Sequence, residues 1–525
     1  MLWSRSVERS GLGRRVARRA ALRRSAGIAR ELPSANGGAS ARTADGEAKG
    51  IRTLVVLSNN LYVRNLLSTD ALGGLDDSET FWVAATRVTD REELLAKPNL
   101  MGFVDVPPAR ARRYSELRQF LLFALRFRST TMRRKLEARE YQLRRWSRRF
   151  RFGRGPVEAS LRFQIRLDWR RILYTLAPLP GVKQLGISLL LRRVGLNQQL
   201  HEVVREVDPD LVIAPYVGTD DLAHDAIRSA RLLGVPSLVL VINWDNLSSK
   251  GAFTVKPDYI GVWGEQSAEH ARRIHGIPRD RVELLGVPTF DHYFRYPSGS
   301  EPAPFPFRYA VFAGCFAAFD ELSPLRRLDD LIEARKLDLK VVYRPHPYRQ
   351  DRVEDDFVDE STFRHVIVDP QMKDWYVGAY RSRSKKIWQD PLGQLPDLDY
   401  YAPLLDRASF VICPFSTMII EAAIFERPVL VPAWDDGIHP IPPSSVIDYE
   451  HFQGIEDLRG LEVCRTWAGF EEAFLALSGA RSSGVTEPMR DQIEYFLHHD
   501  ERPYRDRLTA LVARIAEGRS PSRGR

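Results

Sequence analysis

The stretch STMIIEAAIFE, residues 416–426, sets Ser416 and Thr417 behind an apolar run and Glu421 about one helical turn further on. Hydroxyls and unpaired amides at the start of a helix bind anions, and a carboxylate one turn along accepts hydrogen bonds from ribose hydroxyls. The stretch KVVYRPHPYRQ, residues 340–350, adds cations: Arg344, His346 and Arg349 follow an apolar strand, with Pro345 and Pro347 flanking the histidine. Each proline fixes its own φ and keeps the preceding residue extended, so Arg344 and His346 are expected just past the strand, presented rather than packed. Taken singly, Ser416 reads as an ordinary helix cap and His346 as an ordinary structural histidine. Together, behind strands of the same half, they point to a phosphate site.

A second set lies upstream. YVGTDDLAHD puts Asp220 and Asp221 after a strand at 211–216, and VINWDNLSSKG puts Asn243, Asp245 and Asn246 after a strand at 237–242, with Lys250 and Gly251 closing the loop. A carboxylate in such a loop can take the proton of an acceptor hydroxyl, and the lysine can meet an anionic group. Helix capping accounts for Asp220 and Asp221 equally well, and a rigid turn accounts for NWDN.

The elements that must aim these residues are legible as an alternation. TLVVLSNNL, FWVAATR and FVDVP read as strands. Beyond residue 209, DLVIAPY, GVPSLVLVIN, YIGVWG and RVELLGVP alternate with helical stretches. After the proline-rich PSGSEPAPFPF the pattern restarts with YAVFAG, KVVYRP, HVIVD, FVICP and PVLVP. This predicts an α/β chain of two Rossmann-like parallel-sheet domains facing a cleft, at 51–296 and 308–480, joined by a hinge at 297–307 and followed by C-terminal helices and a basic tail at 481–525. Ligands of such sheets bind beyond the carboxyl ends of the strands, where both sets fall.

Length and charge set further bounds. The 525 residues suffice for two domains with appendages, and three widely spaced cysteines, Cys315, Cys413 and Cys464, form neither a disulfide framework nor a metal knuckle. No run approaches the roughly 18 apolar residues of a membrane span, and MLWSRSVERSGLGRRVARRAALRR lacks the apolar core of a secretory signal, so a cytoplasmic location is expected. The net charge of +9 is uneven. Residues 1–50, a flexible tail and linker, carry about +7 and residues 110–171 about +15, which leaves the body near −13. The second arm belongs to a helical insertion at about 109–200, where arginines interleave with Phe, Trp and Leu. Such a pattern suits either a solvated helical face or an anionic lipid surface at the inner face of the plasma membrane. No nucleic-acid-binding module accompanies the charge.

The succession VWGEQSAEHARRIHGIPRDRVELLGVPTFDHY, YRPHP and STMIIEAAIFERPVLVP resembles the GT-B superfamily over roughly residues 205–435. Within it the chain is similar to CDP-glycerol glycerophosphotransferases and to polysialyltransferase-like and capsule glycosyltransferases, and more distantly to UDP-N-acetylglucosamine 2-epimerases. The resemblance implies that His346-Pro347 and Ser416-Thr417 hold the phosphate of a nucleotide-activated donor, with Arg344, Glu421 and Gly314 beside them. His346 then stabilises the charge on the leaving phosphate without a metal. The first half is expected to bind a glycan or lipid-linked acceptor through Asn243, Asn246 and Lys250, with the base drawn from Asp220, Asp221 and Asp245. No cofactor and no metal are expected: Asp397 and Asp399 have Asp-x-Asp spacing but lie in a polar loop ahead of a helix. Two other functions fit the same residues, a non-catalytic protein that binds a nucleotide sugar or glycan and an epimerase. Of the further epimerase motifs only FERP, residues 425–428, has a faint echo.

Overall fold

The computed structural model describes residues 50–518, apart from 90, 138–174, 219, 251–252, 300–301, 316–318, 347–356, 383–397, 436, 438–442 and 480–487. The basic tail, the densest part of the second basic arm, Pro347, Arg349, Gly251 and Asp397 lie outside the described residues.

Two wholly parallel sheets organise the chain. The first has seven strands in the order β3-β2-β1-β4-β5-β6-β7: β1 Thr53–Leu57, β2 Thr80–Ala85, β3 Leu100–Val104, β4 Leu211–Tyr216, β5 Ser237–Val241, β6 Tyr259–Val262 and β7 Val282–Leu284. The second has six in the order β10-β9-β8-β11-β12-β13: β8 Tyr309–Ala313, β9 Lys340–Arg344, β10 Val366–Val368, β11 Val411–Ile412, β12 Val429–Pro432 and β13 Leu461–Cys464. The central strands read as continuous apolar runs because helices cover both faces; every residue of TLVVL in β1 and YAVFA in β8 is buried. In each sheet the strand order reverses once, between β1 and β4 and between β8 and β11. At such a reversal the connections leave in opposite directions and open a crevice beyond the carboxyl ends. The two-domain α/β architecture expected from the alternation is the one observed.

The insertion between β3 and β4 forms helices Pro108–Leu125, 130–137 and Pro180–Val194. Tyr114, Leu117, Leu121 and Leu125 of the first pack with Met132, Val194 and Ile274 in an apolar cluster of their own. Gly186 lets the third helix approach closely, since a Cβ there would lie 2.3 Å from the Phe120 ring.

The halves share one apolar cluster that runs from β1 and β4 through Val311, Val411 and Phe415 to Phe452 and Phe496. Polar links cross the same junction. Glu450 Oε2 accepts from the amide and hydroxyl of Thr130 at 2.8 and 3.1 Å, its Oε1 pairs with Arg273, and Arg134 pairs with Asp448 at 2.7 Å. Helix Tyr504–Glu517 docks on the first half: Arg507 reaches Asp291 at 3.0 Å and the Leu285 carbonyl at 3.1 Å, and Arg505 reaches Asp70 at 2.6 Å.

Candidate functional site

The second sheet places its chemistry around β8. Gly314 follows β8, His346 follows β9 on one side, and Ser416 and Thr417 follow β11 on the other. Neighbouring strands lie about 4.8 Å apart, so the loops after β9 and β11 face each other across roughly 10 Å, a span suited to a diphosphate. Gly314 is needed for this approach: a Cβ there would lie 3.0 Å from the His346 amide nitrogen and 2.9 Å from Glu321 Oε2, while its own amide donates to the Arg344 carbonyl at 2.8 Å. Glu321, fully buried, braces the turn by accepting from the Cys315 amide at 3.1 Å and the Tyr343 hydroxyl at 2.6 Å.

Arg344 differs from the sequence expectation. It is the last residue of β9, paired in register with Ala313, and only 7% exposed, because the parallel ladder continues one residue beyond the apolar run. Its guanidinium stacks 3.7 Å above the Tyr401 ring and lies 3.5 Å from Asp369, which is fully buried and also accepts from Tyr400 at 2.8 Å. Burial lowers the Arg344 pKa, and Asp369 and Glu421 oppose that shift. The guanidinium therefore delivers a fixed positive charge under the β9–β11 gap. His346 is half-buried directly beyond it.

Ser416 and Thr417 precede a helix of seven residues, Met418–Ile424. Thr417 is its N-cap residue, yet its side chain does not cap; Oγ1 instead donates to Glu421 Oε1 at 3.4 Å. Ser416 Oγ is buried against the Cys413 thiol, with no oxygen or nitrogen partner among the described residues. The other Glu421 oxygen accepts from Tyr293, of helix Pro288–Arg295 in the first half, also at 3.4 Å. Burial raises the Glu421 pKa, against Arg344, Thr417, Arg64 and Tyr293, which favour the carboxylate. Bonds of 3.4 Å are long and weak, so ligand hydroxyls can replace them at little cost.

The acidic residues of the first half separate into different roles. Asp220 caps helix Asp221–Leu233 by accepting from the Leu222 and Ala223 amides at 3.0 and 3.2 Å. It also accepts from the Ser58 hydroxyl, from Tyr62 at 2.7 Å and from Arg87 at 3.4 Å. With both oxygens occupied and 2% exposure, it ties β1 to β4 and has no capacity left for a substrate proton. Asp221 pairs with Arg118 at 2.7 Å; burial raises its pKa to about 6 despite that pair. It anchors the insertion, as does Asp225 through Arg110 at 2.5 Å and Tyr114 at 2.6 Å. Asp220→Ala is accordingly expected to destabilise the fold by about 3 kcal/mol, from a lost cap plus orphaned Tyr62 and Arg87 groups. The shift in the urea midpoint measures this; an unchanged midpoint would return Asp220 to the catalytic candidates.

Asn246 is fully buried and donates to the Tyr216 carbonyl at 2.5 Å, so it joins the loops after β4 and β5 and does not face an acceptor. Asn243 is half-buried, and its carbonyl accepts from the Asn246 amide at 3.1 Å. Asp245 is different: about a quarter of its side chain is exposed, it pairs with Lys250 at 3.0 Å, and it accepts from Ser249 at 2.5 Å. Burial alone would raise its pKa, but the Lys250 and Lys135 ammonium groups hold the carboxyl well below the ordinary range. Trp244 bridges this loop to the second half. Its ring lies 5.2 Å from that of Phe452, which lies 5.2 Å from that of Phe415, next to Ser416.

Sequence reasoning missed Asp369, Glu321, Tyr293 and Lys135. Asp369 alone left a signal, as the acid that ends HVIVD beside the KVVYR strand. Among the described residues no three His, Cys, Asp or Glu side chains converge as a metal site requires. A cleft of about 560 Å3 at the junction is lined by Thr130, Arg133, Asp448, Phe452 and Arg465, apart from Arg344 and Glu421.

No family model and no curated protein matches the chain. Solved structures do. A UDP-N-acetylglucosamine 2-epimerase from Rickettsia bellii is 10% identical, with 90% of this chain and 97% of that one covered at a TM-score of 0.44. The calicheamicin glycosyltransferase CalG4 is 11% identical, with 90% and 100% covered at 0.42. The wall teichoic acid polymerase TagF is 14% identical, with 59% and 73% covered at 0.35. At these identities and scores the matches do not select among reactions.

Proposed function

We propose that the chain is a metal-independent transferase that moves a glycosyl or glycerol-phosphate unit from a nucleotide-activated donor to a cell-surface glycan or lipid-linked acceptor. One observation carries the reading: Gly314, Arg344, His346, Ser416, Thr417 and Glu421 gather at the strand-order reversal of one parallel sheet, with a guanidinium, an imidazole, two hydroxyls and a loosely held carboxylate. In this reading Ser416 and Thr417 donate to the donor phosphates and Glu421 accepts from the ribose. His346 stabilises the departing phosphate, and Arg344 supports it from beneath. Asp245 is the acidic residue of the acceptor loops that a substrate can reach, so it is the acceptor-side carboxylate.

A cytoplasmic enzyme working on a lipid-linked acceptor needs a route to the inner membrane face. No helix among the described residues is long and apolar enough to cross a membrane. The exposed leucines Leu185 and Leu189, one turn apart on helix Pro180–Val194, support surface attachment. The function is tested by incubating purified protein with CDP-, UDP-, GDP- and CMP-activated donors and following release of the free nucleotide. Turnover with one base supports the transferase. Binding without turnover, in the presence of glycan acceptors, favours a non-catalytic binder, and a change of the donor's own sugar favours the epimerase.

A further inference from the structure

β7 is the edge strand of the first sheet, so one side of its backbone has no strand to pair with. Alternation turns Glu283 and Leu285 toward β6, where the Leu285 amide donates to the Val262 carbonyl at 2.9 Å. Val282 and Leu284 therefore face the open edge. The Val282 carbonyl is taken there by Arg279 at 3.1 Å, and the Leu284 amide remains available as a donor. Helix Tyr504–Glu517 and the segment before it run beside this edge and enclose a cavity of about 460 Å3. The approach is close and fixed: a Cβ at Gly286, whose φ is +73°, would lie 2.4 Å from the His498 carbonyl oxygen.

The wall of this cavity is mostly of one sign. Arg279, Arg502, Arg507, Arg514 and His498 line it, against Glu283 as the only carboxylate among the described residues. The other acids stand behind the arginines and orient them. Glu265 pairs with Arg279 at 3.1 Å, Asp500 with Arg502 at 2.9 Å and with Arg507 at 2.8 Å, and Asp291 with Arg507 at 3.0 Å. Arg507 is 4% exposed and also donates to the Leu285 carbonyl at 3.1 Å, so it forms a rigid floor. The rim arginines keep donors in reserve. Arg502 bonds Asp500 through Nε and Nη2, and Arg514 bonds Glu283 through Nη2. Nη1 of the first, and Nε and Nη1 of the second, have no partner among the described residues. A planar fork held from behind by one carboxylate offers its other edge to a second anion.

We propose that this groove binds a soluble anion of the phosphate-ester or diphosphate class, at a site separate from the donor crevice, and that its occupancy fastens helix Tyr504–Glu517 to the outer strand of the first sheet. Arg502 and Arg514 are its ligands from the helix side, with the Leu284 amide opposite them on β7. The site does not depend on the transferase reading, because it lies at the edge of the other sheet.

The test titrates inorganic pyrophosphate into the full chain carrying Ser416→Ala/Thr417→Ala, so that the donor crevice contributes least. Saturable binding that raises the melting temperature is expected. Adding Arg502→Gln and Arg514→Gln should weaken that binding at least about tenfold, the scale of one charge-assisted hydrogen bond. Both side chains are more than half exposed, so the melting temperature without the probe should hold. Glu283→Gln, which removes no cation, should instead tighten binding about fivefold, the effect of one unit charge about 4 Å away in water. Arg231→Gln with Arg335→Gln, exposed arginines elsewhere, should change it less than about twofold. Equal losses from the two arginine pairs, an unchanged affinity in Glu283→Gln, or no saturable binding at all would overturn the site. Retention on phosphatidic acid vesicles without affinity for free pyrophosphate would make the partner a lipid surface and overturn the soluble ligand.

Discussion

His346→Ala is expected to lower transfer by about 100- to 1,000-fold, the loss seen when one preorganised donor to a developing oxyanion is removed. The fold should survive, because His346 is half-buried in a turn beyond β9 and the Gly314–Arg344 backbone bond that shapes the turn needs no imidazole. Nucleotide affinity should fall far less than turnover, since the interaction is made to charge that builds up as the donor bond breaks. Single-turnover release of nucleotide, measured beside the melting temperature, separates chemistry from stability. Turnover at the wild-type rate in a folded variant would remove His346 from the mechanism.

Acidification is the second large effect. His224, His270, His275 and His451 are all buried, and burial pulls their pKa values to about 3, 4, 4 and 3. Each is therefore neutral in the folded chain, whereas in the unfolded chain each takes a proton near pH 6.5. Between pH 6.5 and about 4 the unfolded state binds more protons, so stability is fully present above pH 6.5 and is lost as the pH falls. The upper limit is about 1.4 kcal/mol per pH unit for each histidine. His451 and His270 line the junction that Glu450 holds together, so the contacts between the halves should loosen within this window. Urea unfolding at a series of pH values gives the slope. His224→Asn with His451→Asn should roughly halve it; an unaltered slope would mean that other groups govern the acid response.

The alternation of strands and helices made both sheets readable, because apolar runs of five or six residues bounded by turn formers can fold in few other ways. The carboxyl ends of those strands then marked where Ser416 and His346 had to lie. The partners of those residues were not readable. Arg344 appeared to be presented, yet it is buried against Asp369 and Tyr401, because strand length is set by pairing with β8 and not by the apolar run. Asp220 and Asp245 look alike as acids after strands; only the positions of Ser58, Tyr62 and Lys250 make one a saturated cap and leave the other reachable. Lys135 and Glu450 were invisible for a related reason. Hydrophobic periodicity encodes local elements, while the Thr130–Glu450 contact joins residues 320 apart.

The β8–β9–β11 crevice is the proposed site of the donor nucleotide. Calorimetric titration of CMP, CDP, UDP and GDP into wild-type protein and into Ser416→Ala/Thr417→Ala tests it most directly. One diphosphate is expected to bind the wild type best, and the double substitution to weaken it by about 1–3 kcal/mol with the melting temperature preserved. Equal affinity in the two proteins, or no binding to either, would contradict it.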